Sequence, residues 1–259
     1  MKNFITSTIL SLAMVAGSTQ ANNQETVSFA VDIPYEPFEY KKPDGSLTGF
    51  DIDLGNALCE EINIKCEWIV QPWDGMIPGL LARKYDAIMS SMVITEERER
   101  KVLFTTPYSA TPRIWVSPTS KTFDIRDKKQ LEGLNVGVQR ATLQDRYVTE
   151  LYGDTLNVLR YDDIDDVIMD MRSSRLDLAF MNYPIAEKYL KINTENSEFK
   201  KSSELIKGPA EFFGKGVGIA FRKRDQELVD TFNQALETIK ENGTYDKIAK
   251  KYFNYDISP

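Results

Sequence analysis

The segment from Asp74 to Ser91 is echoed later in this chain, and that repetition limits the architectures open to it more than any other feature. Asp74-x-x-Ile77-x-x-Leu80-x5-Asp86 runs into Ala87-Ile88-Met89-Ser90-Ser91, and 91 residues later Asp165-x-x-Ile168-x-x-Met171-x5-Asp177 runs into Leu178-Ala179-Phe180-Met181-Asn182. Apolar residues three apart mark one face of a helix, and a short apolar run marks a buried strand. Each copy reads as a helix returning into a strand. Unless the match is a coincidence of common residue types, two copies predict two similar α/β lobes. Ser91 and Asn182 fall at equivalent strand ends, which is where open parallel sheets bind ligands.

The flanking sequence extends the alternation. Val27 to Val31 reads as a strand, after which Pro34 and Pro37 forbid a helix and hold the loop extended. Phe50, Leu54 and Leu58 place a helix over 50–62, and strands are expected at Cys66 to Val70, Ala87 to Ile94 and Leu134 to Gln139, with a helix over Trp73 to Lys84. Strand–helix alternation of this kind predicts parallel sheets. Segments 107–115 and 208–218 read as crossings between lobes, the second leading into a strand at Val217 to Phe221. The tail reads as helices at Asp225 to Glu241, stopped by Asn242-Gly243, and at Tyr245 to Phe253, capped by Thr244. Two crossings form a hinge, so closure over a ligand is the expected motion.

The segment Ser90 to Arg98 has the makings of an anion site. Strand-end hydroxyls, helix-start amides and a forked guanidinium can converge on one carboxylate or phosphate. The same residues also suit an ordinary strand-to-helix connection with Arg98 in solvent.

Residues 1–21 are set apart from the fold. Lys2, the apolar run from Phe4 to Val15 and the small residues ending at Ala21 read as a cleaved secretory signal. No cysteine near Ala21 is available to take a lipid, and a free periplasmic protein is expected. Without that segment the net charge moves from −7 to −8, which argues against nucleic acid or an anionic membrane as partner. In an exported chain, Cys59 and Cys66 are expected to form a disulfide. The sequence contains no histidine; no metal and no cofactor is expected, and Ser/His or Cys/His nucleophilic pairs are ruled out.

Several ordered motifs together resemble one family. They are Tyr35-Glu36-Pro37-Phe38, Gly49-Phe50-Asp51-Ile52-Asp53-Leu54, the two cysteines, Trp73-Asp74-Gly75-Met76-Ile77-Pro78, the stretch Asp86 to Arg98, and the ending Asn242 to Phe253. The whole chain beyond residue 21 is similar to the periplasmic solute-binding proteins of amino-acid ABC importers, most of all the lysine/arginine/ornithine- and histidine-binding branch. That resemblance implies a two-lobed α/β fold of the periplasmic-binding-protein-like (type II) kind, with lobe 1 made of 22–109 and 208–259, lobe 2 of 110–207, and the ligand cleft between them. It implies a small-molecule ligand, an inner-membrane ABC permease and a monomeric protein. Arg98 would bind the ligand α-carboxylate with backbone amides near Val93 and Leu143, in a site that also includes Ser90, Ser91 and Thr142. Tyr35 and Trp73 would enclose the side chain, and Asp32 would meet a basic group on it.

The chain also departs from that branch. The ammonium is usually held there by a serine and an aspartate, at positions occupied here by Val93 and Asn182. Leu143 stands where threonine is common and Ala141 where glycine is common. Two expectations follow: a carboxylate ligand whose nitrogen is substituted, displaced or missing, or an amino acid whose ammonium shifts to Asp32 or Glu36. A cyclohexadienyl-dehydratase-like enzyme, with Asp32 or Glu36 as general acid, and a ligand-presenting sensory protein are the alternatives.

Overall fold

The computed structural model describes residues 25–259, so the signal read over 1–21 lies outside the described residues. Before the first crossing come β1 (Thr26–Val31), the small hairpin β2 (Tyr40–Lys41) and β3 (Leu47–Thr48), β4 (Lys65–Val70), β5 (Ala87–Ile88) and β6 (Val102–Phe104). Then come β7 (Arg113–Pro118), β8 (Asn135–Gln139), β9 (Asn157–Tyr161), β10 (Leu178–Asn182) and β11 (Phe199–Lys201), and β12 (Ala220–Arg222) after the return. They build two five-stranded sheets, ordered β4-β1-β5-β12-β6 and β11-β7-β10-β8-β9.

Helices cover these sheets: α1 (Phe50–Glu61), α2 (Met76–Leu81), α3 (Glu96–Glu99), α4 (Lys128–Leu131), α5 (Leu143–Tyr152), α6 (Ile164–Arg172), α7 (Tyr183–Leu190), α8 (Ala210–Phe213), α9 (Gln226–Glu241) and α10 (Thr244–Tyr252). In the first lobe Phe232 of α9 packs on Phe29 of β1 and Phe221 of β12, with ring centroids 5.6 and 5.4 Å apart. In the second, Phe180 of β10 lies 4.9 Å from both Trp115 of β7 and Tyr147 of α5. The Cys59–Cys66 disulfide ties the end of α1 to β4. No described helix is long and apolar enough to cross a membrane.

The internal repeat is structural. Asp86 sits just before β5, and its Oδ2 accepts from the Ser28 amide and hydroxyl, 3.1 and 2.7 Å away, on neighbouring β1. Asp177 sits just before β10, and its Oδ2 accepts from the Asn135 amide at 2.9 Å, on neighbouring β8. Each aspartate also donates its own amide across to the same residue's carbonyl, at 2.9 Å in both copies. One carboxylate clamp thus fixes the register of the parallel pair in each lobe.

Several boundaries differ from expectation. The sheets are mixed rather than parallel: β12 runs antiparallel to β5 and β6, and β7 antiparallel to β10 and β11. These strands adjoin the crossings, so they enter their sheets from the opposite end to the strands delivered by helices. The strand expected to reach Ile94 ends at Ile88. Beyond it the Ser91 amide and hydroxyl turn to Asp51 Oδ2, at 2.6 and 3.2 Å, with Ser91 at φ 49°. The helix expected over Trp73 to Lys84 is a 3₁₀ turn at Trp73–Gly75 followed by α2, closed off before Arg83 at φ 61°. Gly243, at φ 79°, rather than Thr244 caps α10, because the chain leaving α9 must turn left-handed there. The two crossings run side by side, bridged at Ser109 to Val217 and at Arg113 to Ile206.

Candidate functional site

A small cavity lies between the lobes, the position between packed units where small-molecule sites commonly form. All ten residues expected from sequence line it: Asp32, Tyr35, Trp73, Ser90, Ser91, Val93, Arg98, Thr142, Leu143 and Asn182. Glu39, Arg113, Gln139 and Gln144 line it as well.

Three hydrogen bonds cross the cavity and hold the lobes together. Gln139 Nε2 donates to Asp32 Oδ2 at 2.8 Å, Asn182 Nδ2 to Tyr35 OH at 2.9 Å, and Trp73 Nε1 to the Ala141 carbonyl at 3.0 Å. Ion pairs reinforce the rim, Arg140 with Asp74 at 2.8 Å and Lys188 with Glu36 at 2.7 Å. Glu36 therefore faces the rim and does not line the cavity, which corrects its place among the candidate acids. Ala141 sits at φ 58°, a left-handed conformation that explains why glycine suits this position.

The anion end comes from both lobes. Thr95 caps α3, its Oγ1 accepting the Arg98 amide at 3.3 Å. From that single turn the Arg98 side chain reaches back, and Nη1 donates to the Val93 carbonyl at 2.8 Å. Its guanidinium lies 5.3 Å from the Trp73 ring centroid, a cation–π arrangement. Across the cavity, Thr142 caps α5: its Oγ1 accepts from the Asp145 amide at 3.2 Å and its hydroxyl donates to the Gln139 carbonyl at 2.7 Å. Leu143 and Gln144 open that helix, so their amides have no intrahelical acceptor and carry the positive end of its dipole.

Arg113 stands close by on β7, its guanidinium over the Phe213 ring at 4.7 Å and Nη1 donating to the Thr111 carbonyl at 2.9 Å. Burial pushes the guanidinium pKa down to about 10 for both Arg98 and Arg113. Among the described residues neither forms a salt bridge. Two desolvated cations without carboxylate partners make this end a strong attractor for an anion.

The opposite chemistry gathers at the Ser90 end. Ser90 Oγ accepts from the Asp32 amide at 2.9 Å and donates to Glu39 Oε1 at 2.6 Å. Asp32 is pushed up to about 7, chiefly by burial, with the Gln139 bond working the other way. Glu39 is raised by burial first and then by Asp51 beside it. The expected ammonium positions contribute no charge: Asn182 is occupied by Tyr35 and by Gln144 Nε2, which donates to its Oδ1 at 2.8 Å.

Gln139 and Gln144 had readable signals, one ending the strand equivalent in role to the Asp32 strand and the other following Leu143 at the helix start. Arg113 was hidden in a crossing. Glu39 was hidden by a turn, since Tyr35 N donates to the Glu39 carbonyl at 2.7 Å and folds the chain back on itself.

Comparison with known proteins places these features in a family. The L-arginine-binding protein of Pseudomonas aeruginosa is 40% identical over 233 residues, covering 89% of each chain. The lysine/arginine/ornithine-binding periplasmic protein of Escherichia coli strain K12 is 36% identical over 259 residues, 96% of this chain and 97% of that one. An ancestral arginine-binding protein bound to arginine superposes with a TM-score of 0.81 at 32% identity, over 89% of this chain and 99% of the other. The family described as bacterial extracellular solute-binding proteins, family 3, matches residues 27–255, and the chain belongs to it.

Proposed function

We propose that this protein captures a cationic amino acid, arginine first, between lobes 22–109 plus 208–259 and 110–207, and delivers it from the periplasm to an inner-membrane ABC permease without chemical change. The observation that carries this reading is the cavity between the lobes with Arg98, in no salt bridge among the described residues, facing the amides that open α5. A ligand carboxylate between them would be gripped by both lobes, so binding and closure are one event. Ser91 and Val93 would shape the floor, Trp73 and Tyr35 the walls, and Asp32 would face the guanidinium or ammonium at the far end of the side chain. The binding-protein names of the relatives support the same assignment.

Isothermal titration with L-arginine, L-lysine, L-ornithine and L-histidine tests it: micromolar or tighter binding of at least one is expected, and silence from all four removes the proposal. One observation favours the enzymatic alternative, the Asp32 carboxyl held near pH 7 in a closed cavity, a suitable poise for a general acid. Unchanged arogenate and prephenate after incubation with the protein would dismiss it.

A further inference from the structure

An amino acid held by its carboxylate at Arg98 brings an ammonium group into a cavity lined by both lobes. Such a charge needs a carboxylate within reach. Val93 offers none and Asn182 is a neutral amide already bonded on both its nitrogen and its oxygen. Two acids line the cavity, Asp32 and Glu39. Asp32 Oδ2 is taken by Gln139 across the cleft and is the group assigned above to the ligand side chain.

Glu39 is only 1% exposed, yet its side chain reaches the cavity wall. Ser90 directs its single hydroxyl hydrogen at Oε1, 2.6 Å away, which leaves Oε2 as the oxygen that can carry a proton. Among the described residues Glu39 Oε2 and Asp51 Oδ1 have no hydrogen-bond partner, although both side chains are fully buried. A proton shared between the two carboxyl groups satisfies both atoms. The pair then holds one proton and one negative charge, as two adjacent buried acids must. Ser91 anchors the far side of Asp51 through its amide and hydroxyl. Tyr35, Tyr108 and Asp32 are the other titratable groups acting on Glu39 or its partner, and Arg113 lines the same cavity.

We propose that Glu39 supplies the negative charge that positions 93 and 182 lack, taking the ligand α-ammonium at the Ser90 end of the cavity and setting the preference for amino acids over deaminated carboxylates. When the ammonium arrives, the proton passes from Glu39 Oε2 to Asp51 Oδ1 and the pair's charge settles on Glu39, so no proton is gained or lost overall. The pair is thus a buried reserve of one negative charge, held under Ser90 and Ser91 until a cation calls on it. This inference rests on the amino-acid reading of the cavity.

The test compares L-arginine with 5-guanidinopentanoate, which keeps the carboxylate and the guanidinium but has no α-ammonium. Isothermal titration of the wild-type protein should give arginine a preference of about a hundredfold, given the two to three charge-assisted contacts an ammonium makes. Glu39→Gln should cut arginine affinity by tenfold or more and leave 5-guanidinopentanoate within about threefold of wild type. Glu39→Asp, which keeps the charge, should retain most of the preference and serves if the glutamine variant is poorly folded. An unchanged preference in Glu39→Gln, or its loss in Glu39→Asp as well, overturns the assignment. Equal binding of both compounds by the wild-type protein overturns it too while leaving the carboxylate clamp standing. Failure of the wild type to bind either compound overturns the amino-acid reading itself, and this inference with it.

Discussion

Replacing Arg98 by alanine separates binding from folding. The side chain makes one hydrogen bond to the Val93 carbonyl, at 2.8 Å, and one cation–π contact with Trp73, at 5.3 Å. Each stabilises by about 1 kcal/mol, and their loss is offset by removing a half-buried cation that has no salt-bridge partner among the described residues. The ligand-free melting temperature should therefore stay within about 3 °C of wild type. The loss on binding is larger. Two charge-assisted hydrogen bonds to a carboxylate contribute about 3–4 kcal/mol, so arginine affinity should fall by roughly two to three orders of magnitude. At a ligand concentration about a thousandfold above the wild-type Kd, wild type gains about 4 kcal/mol, or about 8–16 °C for a chain of this length. The variant should gain about 0.4–1.4 kcal/mol under the same conditions, and Arg98→Lys should lie between, because lysine keeps the charge without the fork. Differential scanning fluorimetry with and without arginine reads both quantities. Equal ligand-induced shifts in wild type and Arg98→Ala, or a variant whose ligand-free melting temperature collapses, would refute this reasoning.

The buried acids make the ligand-free protein's stability fall as pH rises. Asp32 and Asp51 are raised to about 7 and about 6, both chiefly by burial, and Glu39 is raised too, so the folded state holds protons that the unfolded chain has released by pH 5. Their stabilising contribution is present at acid pH and is lost as pH climbs through about 6 to 7; melting temperature should rise between pH 8 and pH 5, and a flat or opposite trend would contradict it. Removing the disulfide as Cys59→Ser with Cys66→Ser frees a short loop and should lower stability by about 2–3 kcal/mol, measured by urea unfolding. Arginine affinity in that double variant should hold within about threefold, since α1 and β4 meet away from the cavity; a larger loss would mean the bond positions the site.

Much of this architecture is legible in sequence because it rests on local periodicity. The spacing Asp165, Ile168, Met171, Asp177 repeats that of Asp74, Ile77, Leu80, Asp86, and in the folded protein the last aspartate of each set clamps a neighbouring strand. The antiparallel strands were not legible, because no local pattern in Ala220 to Arg222 or Arg113 to Pro118 says from which end a returning strand enters its sheet. The same division runs through the site. Its anion end is built from a cap, a short turn and a helix start, all contiguous in Thr95 to Arg98 and Thr142 to Gln144, and contiguous features can be read. Its acidic end joins Glu39, Asp51 and Ser90, three residues from a turn, a helix and a strand end, whose meeting is a property of packing alone. Asp51 in particular reads as an acid near the start of an amphipathic helix, where the dipole favours it, yet it is wholly buried and holds Ser91. A charge reserve of this kind leaves no motif, and two charge-poor positions, Val93 and Asn182, were the only sequence sign that the balancing acid had to lie elsewhere.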